Sequence, residues 1–245
     1  MAEIIFKNKI VKLVRASLKN VGVSRSSLNL ASIISDLKEM TILDIGCGIG
    51  YMSIGALLSG AKKVVATDIC NVEKQLRDNL KLNNIKQNKL TFYRSYLFDN
   101  IPSNLKFDVI IANLPQHALP ANIKAKRLKG KYGGYDGTDL VSRCLTEAFS
   151  YLKPDGRYFG SISKLTNYKR TLGIAKSLYE IKLKKVVQKN IDLKEMLPYV
   201  SEEDFLNHLE RLKRNRLINF SVNGKNIPIK YQVNYCQFNK KALID

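Results

Sequence analysis

The chain has 245 residues, 45% of them hydrophobic and 25% charged, which allows one substantial core but not two ordinary domains. Its 41 Lys and Arg against 21 Asp and Glu give a net charge of +20. This charge favours a polyanionic partner such as nucleic acid, although a general bias toward lysine, isoleucine and asparagine would explain the same excess. The four cysteines form no Cys-x-x-Cys pair and have no histidine nearby, which argues against a zinc site or a disulfide framework. We predict no metal site, and reduced thiols in a cytoplasmic protein.

The first 36 residues are predicted to form a helical cap before the first strand. Lysine and arginine interrupt the apolar residues of segment 1–22, so the segment lacks the uncharged stretch of a signal peptide. No segment approaches the roughly 20 apolar residues of a membrane span. We therefore predict no membrane partner. A basic amphipathic helix at a membrane surface remains an alternative to a helix packed on the domain.

Short apolar runs alternate with helical patterns through the middle of the chain, which indicates β-α units and a doubly wound, mostly parallel α/β sheet. Helical spacing is clearest at Val72, Leu76 and Leu80 and again between 140 and 152, where Pro154 and Gly156 follow. The predicted strands are 41–45, 63–67, 90–93, 107–112 and one near 157–162.

The C-terminal part has a different pattern. A capped helix begins at Ser201 and places Phe205, Leu209 and Leu212 on one face, which would leave His208 on the polar side without a catalytic role. Asn223-Gly224 then predicts an antiparallel hairpin between 218–222 and 227–238. We divide the chain into a cap at 1–36 and a main domain at 37–245 that carries a helical insertion near 194–216. That insertion would either recognise a substrate or cover a sheet edge.

A glycine-rich turn follows the first predicted strand, with the sequence DIGCGIG at 44–50. Glycines allow backbone amides to approach a ligand closely and tolerate positive φ. Tyr51 and Ser53 stand where a dinucleotide fingerprint would need glycine, and no phosphate-binding Gly-Lys-Ser/Thr is present. Asp68 ends the next strand about 20 residues past the loop, where an acidic residue can accept both ribose hydroxyls. The glycine-rich turn and Asp68 together predict a nucleoside cofactor.

These features resemble the first motif of class I S-adenosylmethionine methyltransferases. The resemblance implies a Rossmann-like fold, S-adenosylmethionine as cofactor, and a loop that wraps its methionine part. Tyr96 stands where relatives often have an aspartate beside the adenine, so Ser95 or a backbone amide is an alternative adenine contact. The cofactor-binding residues implied in this way are Asp44, Gly46, Cys47, Gly48, Gly50, Asp68, Ile69, Tyr96 and Asn113.

The fourth predicted strand is followed by Asn113, Leu114, Pro115 and Gln116, where many nitrogen methyltransferases carry Asn-Pro-Pro-Tyr. In that motif an amide oxygen and a backbone carbonyl accept hydrogen bonds from a planar amino or amide group. The sequences at 131–140 and 152–156 resemble the HemK/PrmC family, which methylates a glutamine side chain in release factors. His117 instead resembles a position of ribosomal RNA guanine-N2 methyltransferases and is a candidate general base. The predicted catalytic residues are Asn113, Pro115, Gln116 and His117.

A long loop beside this motif contains Tyr132, Tyr135 and a basic cluster at Lys124, Lys126, Arg127, Lys129 and Lys131. A second basic cluster comprises Arg211, Lys213, Arg214 and Arg216. The loop is either a lid, a platform for an unpaired base, or a solvated segment. The predicted function is methyl transfer to a nitrogen of a protein amide or of a small amine or amide metabolite. RNA base methylation and non-catalytic nucleic-acid binding on the same fold are alternatives.

Overall fold

A computed structural model describes residues 1–14, 23–120, 132–192, 200–222 and 228–242. Its central sheet has the strand order β5-β4-β3-β6-β7-β10-β8, and β9 pairs with β10 beside this path. The strands are β1 (Ala2–Phe6), β2 (Lys9–Leu13), β3 (Thr41–Ile45), β4 (Lys63–Asp68), β5 (Leu90–Arg94), β6 (Phe107–Ala112), β7 (Leu152–Ser163), β8 (Tyr179–Asp192), β9 (Ser221–Val222) and β10 (Pro228–Lys240). The α-helices are α1 (Arg25–Ala31), α2 (Tyr51–Leu58), α3 (Glu73–Leu82), α4 (Asp139–Tyr151), α5 (Tyr168–Leu178) and α6 (Glu202–Arg214).

The parallel half of the sheet confirms the predicted doubly wound fold. Strand β3 lies between β4 and β6, and all three run in the same direction. Successive residues of β3 point to opposite faces, so Ile42 packs with α2 and α3 while Leu43 packs with α4 and α5. In register, Ile45 is paired with Thr67 on one side and Ala112 on the other. The chain segments that leave these three strands therefore start side by side at one edge of the sheet.

The antiparallel half of the sheet is more extensive than predicted. β10 pairs antiparallel with β7 and, over most of its length, with β8, whereas β9 contributes only two residues. We did not predict α5 or β8. The edge strand β8 gives a weak sequence signal because its alternation of apolar residues is interrupted by Lys182, Lys184, Lys185 and Lys189. The turn predicted at Asn223-Gly224 lies outside the described residues.

The prediction of a helical cap at 1–36 is wrong for its first part, because residues 2–13 form the β1–β2 hairpin. Apolar residues that alternate with lysine place Val11 and Leu13 in the core, and Lys7 adopts the positive φ of a turn. Phe6 packs edge-to-face on Tyr51, and Tyr51 Oη donates to the carbonyl of Ile5 (2.7 Å). Helix α1 is the helical part of the predicted cap. Whether the cap and the remainder are separate domains stays a proposal.

Helix α6 begins where the sequence predicts, with Ser201 Oγ accepting from the amide of Asp204 (3.1 Å). Its apolar face forms a third cluster with residues that follow β6, including Ala118 and Leu119. The predicted position of His208 on the polar side is wrong, because only 2% of this residue is exposed, and its lack of a catalytic role stays a prediction. Within the described residues, no helix is long and apolar enough to cross a membrane.

Candidate functional site

The glycine turn after β3 has the backbone geometry that its sequence predicts. Gly46, Gly48 and Gly50 have φ values of 69°, 53° and 88°, in the left-handed region that glycine tolerates without strain. A Cβ added at Gly50 would lie 2.4 Å from Cδ2 of Leu76, so close packing of α3 also requires glycine there. The turn ends at the start of α2, where the first amides of a helix have no partner within the helix. This geometry is suited to binding a polar ligand through the backbone.

Asp68 joins the glycine turn to the end of β4. Its Oδ2 accepts from the amide of Gly48 (2.9 Å), and its Oδ1 accepts from the amide of Cys70 (2.8 Å). The side chain is half-buried, and each carboxylate oxygen has a further lone pair. Asp68 is therefore both a structural tie for the turn and a group that can accept ligand hydroxyls.

Asp44 is a buried carboxyl group beneath the turn, with 2% of the residue exposed. Ser53 Oγ donates to its Oδ2 (2.6 Å). Burial raises the pKa of Asp44 from 3.8 to about 7, and the negative charge of Asp68 contributes in the same direction. A bound cation would favour the ionised form of this group. Burial likewise raises the pKa of the neighbouring Cys47 thiol well above its usual value.

Ile69 and Tyr96 lie near the same edge of the sheet, and both are unusually exposed for their size, at 55% and 43%. They come just after the paired ends of β4 and β5, and Arg143 lies over the Tyr96 ring, 5.2 Å from its centroid. The backbone amide of Ser95 donates to the carbonyl of Asp68, and Ser95 Oγ accepts from Asn100. The amide of Ser95 is thus engaged in the fold, its hydroxyl keeps an O–H to donate, and the adenine contacts of Ile69, Tyr96 and Ser95 stay predictions.

Asn79 is a site residue that sequence reasoning missed. It is fully buried on α3; its Nδ2 donates to the carbonyl of Ile49 inside the turn (2.7 Å), and its Oδ1 accepts from the amide of Val14 (2.6 Å). Asn83, one helical turn later, pairs with both backbone groups of Lys12. The N-terminal hairpin is in this way fastened to the glycine turn. An asparagine on an amphipathic helix gives no sequence signal for such a contact.

The predicted acceptor turn lies directly beside the glycine turn. Asn113 follows Ala112, whose strand partner Ile45 precedes Gly46. Leu114 closes the gap: a Cβ at Gly46 would lie 3.6 Å from its Cδ2. Asn113 and Pro115 are half-buried, and Asn113 Nδ2 donates to Ser27 Oγ (3.0 Å). The glycine turn and the predicted acceptor turn thus meet at the carboxyl ends of adjacent strands.

Gln116 points toward β7. Its Nε2 donates to the carbonyl and hydroxyl of Ser161 (3.1 and 3.0 Å), and its Oε1 accepts from the amide of Ser163 (3.1 Å). The side-chain amide therefore fastens the turn to the sheet. A direct catalytic role for Gln116 stays a prediction, and the contacts favour a structural one.

The glycine-rich segment 133–139 packs against the acceptor turn. The amide of Gly133 donates to the carbonyl of His117 (3.0 Å), and the amide of Leu119 donates to the carbonyl of Gly134 (3.1 Å). A Cβ at Gly133 would lie 2.8 Å from Cα of Gln116, which explains the glycine there. Burial and the neighbouring Asp139 raise the pKa of Tyr132. The general-base role of His117 stays a prediction.

Tyr135 connects this segment to α6. Its carbonyl accepts from His208 Nε2 (2.8 Å), the His208 ring lies edge-on to the Tyr135 ring, and Arg211 lies over the same ring. Burial lowers the pKa of His208, so the imidazole is neutral at physiological pH. The basic cluster between Lys124 and Lys131 lies outside the described residues.

Comparisons with known proteins agree with this geometry. The family model for ribosomal protein L11 methyltransferase (PrmA) matches residues 26–127. A relative from Methanocaldococcus jannaschii, provisionally named a protein N5-glutamine methyltransferase, is 36% identical over 160 residues, which cover 63% of this chain and 78% of the relative. The release factor glutamine methyltransferase of Rhodopirellula baltica is 30% identical over 159 residues, 60% of this chain and 51% of that enzyme.

The chain belongs to the class I S-adenosylmethionine-dependent methyltransferases. Among solved structures, a 16S rRNA N2 G1207 methyltransferase of T. thermophilus with AdoMet and guanosine has a TM-score of 0.58 at 15% identity, covering 98% of this chain and 50% of that one. YcgJ from Bacillus subtilis also has a TM-score of 0.58, at 13% identity, and the match covers 89% of this chain and 98% of YcgJ. Identities this low show the fold alone. Because the class is enzymatic, the non-catalytic alternative is set aside.

The residues around the glycine turn fit S-adenosylmethionine. Three positive-φ glycines allow the backbone to approach a ligand closely, and Asp68 offers acceptor capacity at the adjacent strand end. Asp44 is a buried carboxyl that a cationic ligand would ionise, and Ile69 is an exposed apolar side chain on the same edge. The roles of these residues in this methyltransferase remain proposals.

Proposed function

We propose that this methyltransferase modifies the side-chain amide nitrogen of a glutamine in a protein. The observation that carries the proposal is the register between β3 and β6, which places Asn113 beside the glycine turn through the pair Ile45 and Ala112. The names of the relatives from M. jannaschii and R. baltica, both glutamine methyltransferases, supply the acceptor class.

S-adenosylmethionine, when bound, would supply a methyl group already activated on a sulfonium; the acceptor nitrogen would exchange an N–H bond for an N–CH₃ bond, with the sulfonium becoming a neutral thioether and the proton released. In-line positioning supplies much of the rate in such a transfer. Asn113 would accept a hydrogen bond from the acceptor N–H through Oδ1 and fix the plane of the incoming amide. Leu114, which packs toward Gly46, would keep water from the gap between the two turns.

The fixed parts of the site favour a carboxamide over a large aromatic base. The turn has Leu114 and Gln116 in place of a flanking aromatic ring, and Gln116 is bonded to β7. RNA base methylation is the second candidate, favoured by the net charge of +20.

A labelled-methyl assay on fractionated cell extract tests the proposal. S-adenosylmethionine with a tritiated methyl group is incubated with enzyme, and label is followed in protein, RNA and small-molecule fractions. Label in protein that alkaline hydrolysis releases as volatile methylamine would support a methylated amide. Label that ribonuclease solubilises would replace this proposal with the RNA alternative, and protein label stable to alkali would exclude a carboxamide acceptor. Asn113→Ala is the control for background transfer.

A further inference from the structure

Helix α1 contacts the acceptor turn across 86 residues of sequence. Asn113 Nδ2 donates to Ser27 Oγ at 3.0 Å and to Ser24 Oγ at 3.4 Å. The two hydroxyl oxygens lie 3.0 Å from each other, so they form one small cluster around the asparagine amide. The contact links the N-terminal segment to a residue whose predicted role is catalytic.

We propose that Ser27, assisted by Ser24, is a positioning residue that orients the Asn113 amide for methyl transfer. The inference rests on the proposed function, because it assigns to Asn113 the binding of an acceptor N–H. Serine oxygens that accept from Nδ2 bind the donor end of the amide, so its acceptor end, Oδ1, faces the other way. The serines thereby select an acceptor group that has an N–H to donate.

The value of such orientation follows from amide symmetry. The two ends of an asparagine side chain have nearly the same shape, and a rotation of 180° exchanges an acceptor for a donor. A donor facing an acceptor –NH₂ group would repel it. With the Ser27 hydroxyl donating to Ser24 Oγ (3.0 Å), the Ser27 oxygen can only accept, and its bond from Nδ2 opposes that rotation. The bonded orientation therefore dominates in the free enzyme.

The serines lie on a helix that is held firmly. Leu30 and Ala31 at the end of α1 are buried in the core on the α2 and α3 side of the sheet. Beyond the helix, Arg157 of β7 donates to the carbonyl of Asp36 (2.9 Å). Lys185 of β8 donates to Ser32 Oγ (3.2 Å). Strands β7 and β8 thus hold the segment that contains α1, and α1 in turn contacts Asn113.

Helix capping accounts for Ser24 but not for Ser27. Ser24 is the N-cap, and its Oγ accepts from the backbone amide of Ser27 (3.1 Å). That bond uses the main chain of Ser27, so Ser27→Ala retains the cap while it removes the closer hydroxyl from Asn113. Ser27→Thr retains the hydroxyl. Ser26→Ala is the matched control, because Ser26 is on the same turn and its hydroxyl contacts Lys189.

Two measurements on the folded 245-residue chain test the inference. In the first, we measure kcat, KM for the acceptor fraction and cofactor affinity for each variant. Ser27→Ala should lower kcat by about tenfold to a hundredfold, a range typical of lost orientation, with unchanged cofactor affinity and melting temperature. Ser27→Thr should restore most of the rate, and Ser26→Ala should equal wild type. An unchanged kcat in Ser27→Ala overturns the inference, as does a loss that Ser27→Thr does not restore.

The second measurement does not need turnover. The side-chain NH₂ signals of Asn113 are assigned by their disappearance in Asn113→Asp, and their exchange with water is followed by nitrogen-15 NMR. Exchange should be several-fold faster in Ser27→Ala than in wild type or Ser26→Ala. Equal exchange in all three proteins would overturn the inference even if no glutamine product is found. If exchange is slower in wild type than in Ser27→Ala but no methylamine is released from labelled protein, the proposed glutamine acceptor is overturned and the role of Ser27 is not.

Discussion

The proposed donor side and the proposed acceptor side of this methyltransferase are built in different ways. The donor side consists of one strand-turn-helix unit, 41–58, and the end of the adjacent strand at Asp68. The acceptor side is assembled from segments far apart in sequence, because Asn113 bonds to Ser27 and Gln116 bonds to Ser161. Consecutive residues form most of the donor turn, and Asn79 and Leu76 of α3 add contacts from outside that unit. The acceptor turn depends on contacts with α1 and with the end of β7.

The largest expected effect separates binding from transfer. Asn113→Ala removes the group proposed to orient the acceptor, so turnover should fall by about a hundredfold to a thousandfold, as with other preorganised polar groups. Cofactor affinity, measured by calorimetry, should stay within about twofold of wild type, since the donor turn retains its own contacts. Turnover equal to wild type would remove Asn113 from the site.

Asp68→Ala should produce the reverse pattern. The carboxylate supports the amide of Gly48 and is proposed to accept cofactor hydroxyls, so affinity for S-adenosylmethionine should weaken by about tenfold to a hundredfold. Asp78→Ala is the matched control, because Asp78 lies on α3 in an exposed pair with Lys74. Undiminished binding by calorimetry would contradict the donor assignment of Asp68.

Gln116→Leu tests whether the acceptor turn is a structural joint. The variant leaves the amide of Ser163 without its side-chain partner, which should lower the free energy of unfolding by about 1–3 kcal/mol. Urea denaturation measures the change. A large loss of kcat with unchanged stability would instead favour the direct catalytic role predicted from sequence.

The two sides should also differ in their response to pH. Folding raises the pKa of Asp44 from 3.8 to about 7, so the folded protein keeps a proton that the unfolded chain releases. Its contribution to stability is complete below pH 4 and is lost as pH rises toward 7. Asp44→Asn mimics the protonated form and should raise the unfolding free energy at pH 7.5 by roughly 1–3 kcal/mol. Cofactor affinity should fall in the same variant, and a destabilised variant would contradict the raised pKa.

His208 should act in the opposite direction with a smaller amplitude. Burial lowers its pKa below 6.5, so the unfolded chain takes up a proton before the folded protein does. Stability from this group is therefore present above pH 6.5 and is lost as pH falls below that value. His208→Gln should make the unfolding free energy depend less steeply on pH below 6.5. An unchanged slope would show that His208 titrates normally.

The sequence alone determined the donor turn and the parallel half of the sheet. Glycine at 46, 48 and 50, β-branched strands and Asp68 report on local backbone geometry, and local geometry is legible in consecutive residues. It also predicted α6 and its cap. The predicted helical cap is wrong at β1 and β2, because lysines every few residues are compatible with both the helical and the strand period. Contacts with Tyr51 and Asn83 stabilise the hairpin.

Only the tertiary structure decided the partners of the acceptor turn. Ser27 and Ser161 are ordinary serines in sequence, and Asn79 is one of several asparagines. Their contacts arise because parallel strands bring their carboxyl ends to one edge and because helices α1 and α3 pack beside that edge. A hydrogen bond across many residues leaves no period or spacing in the sequence. Its partners are fixed by where the packed strands and helices place each backbone position.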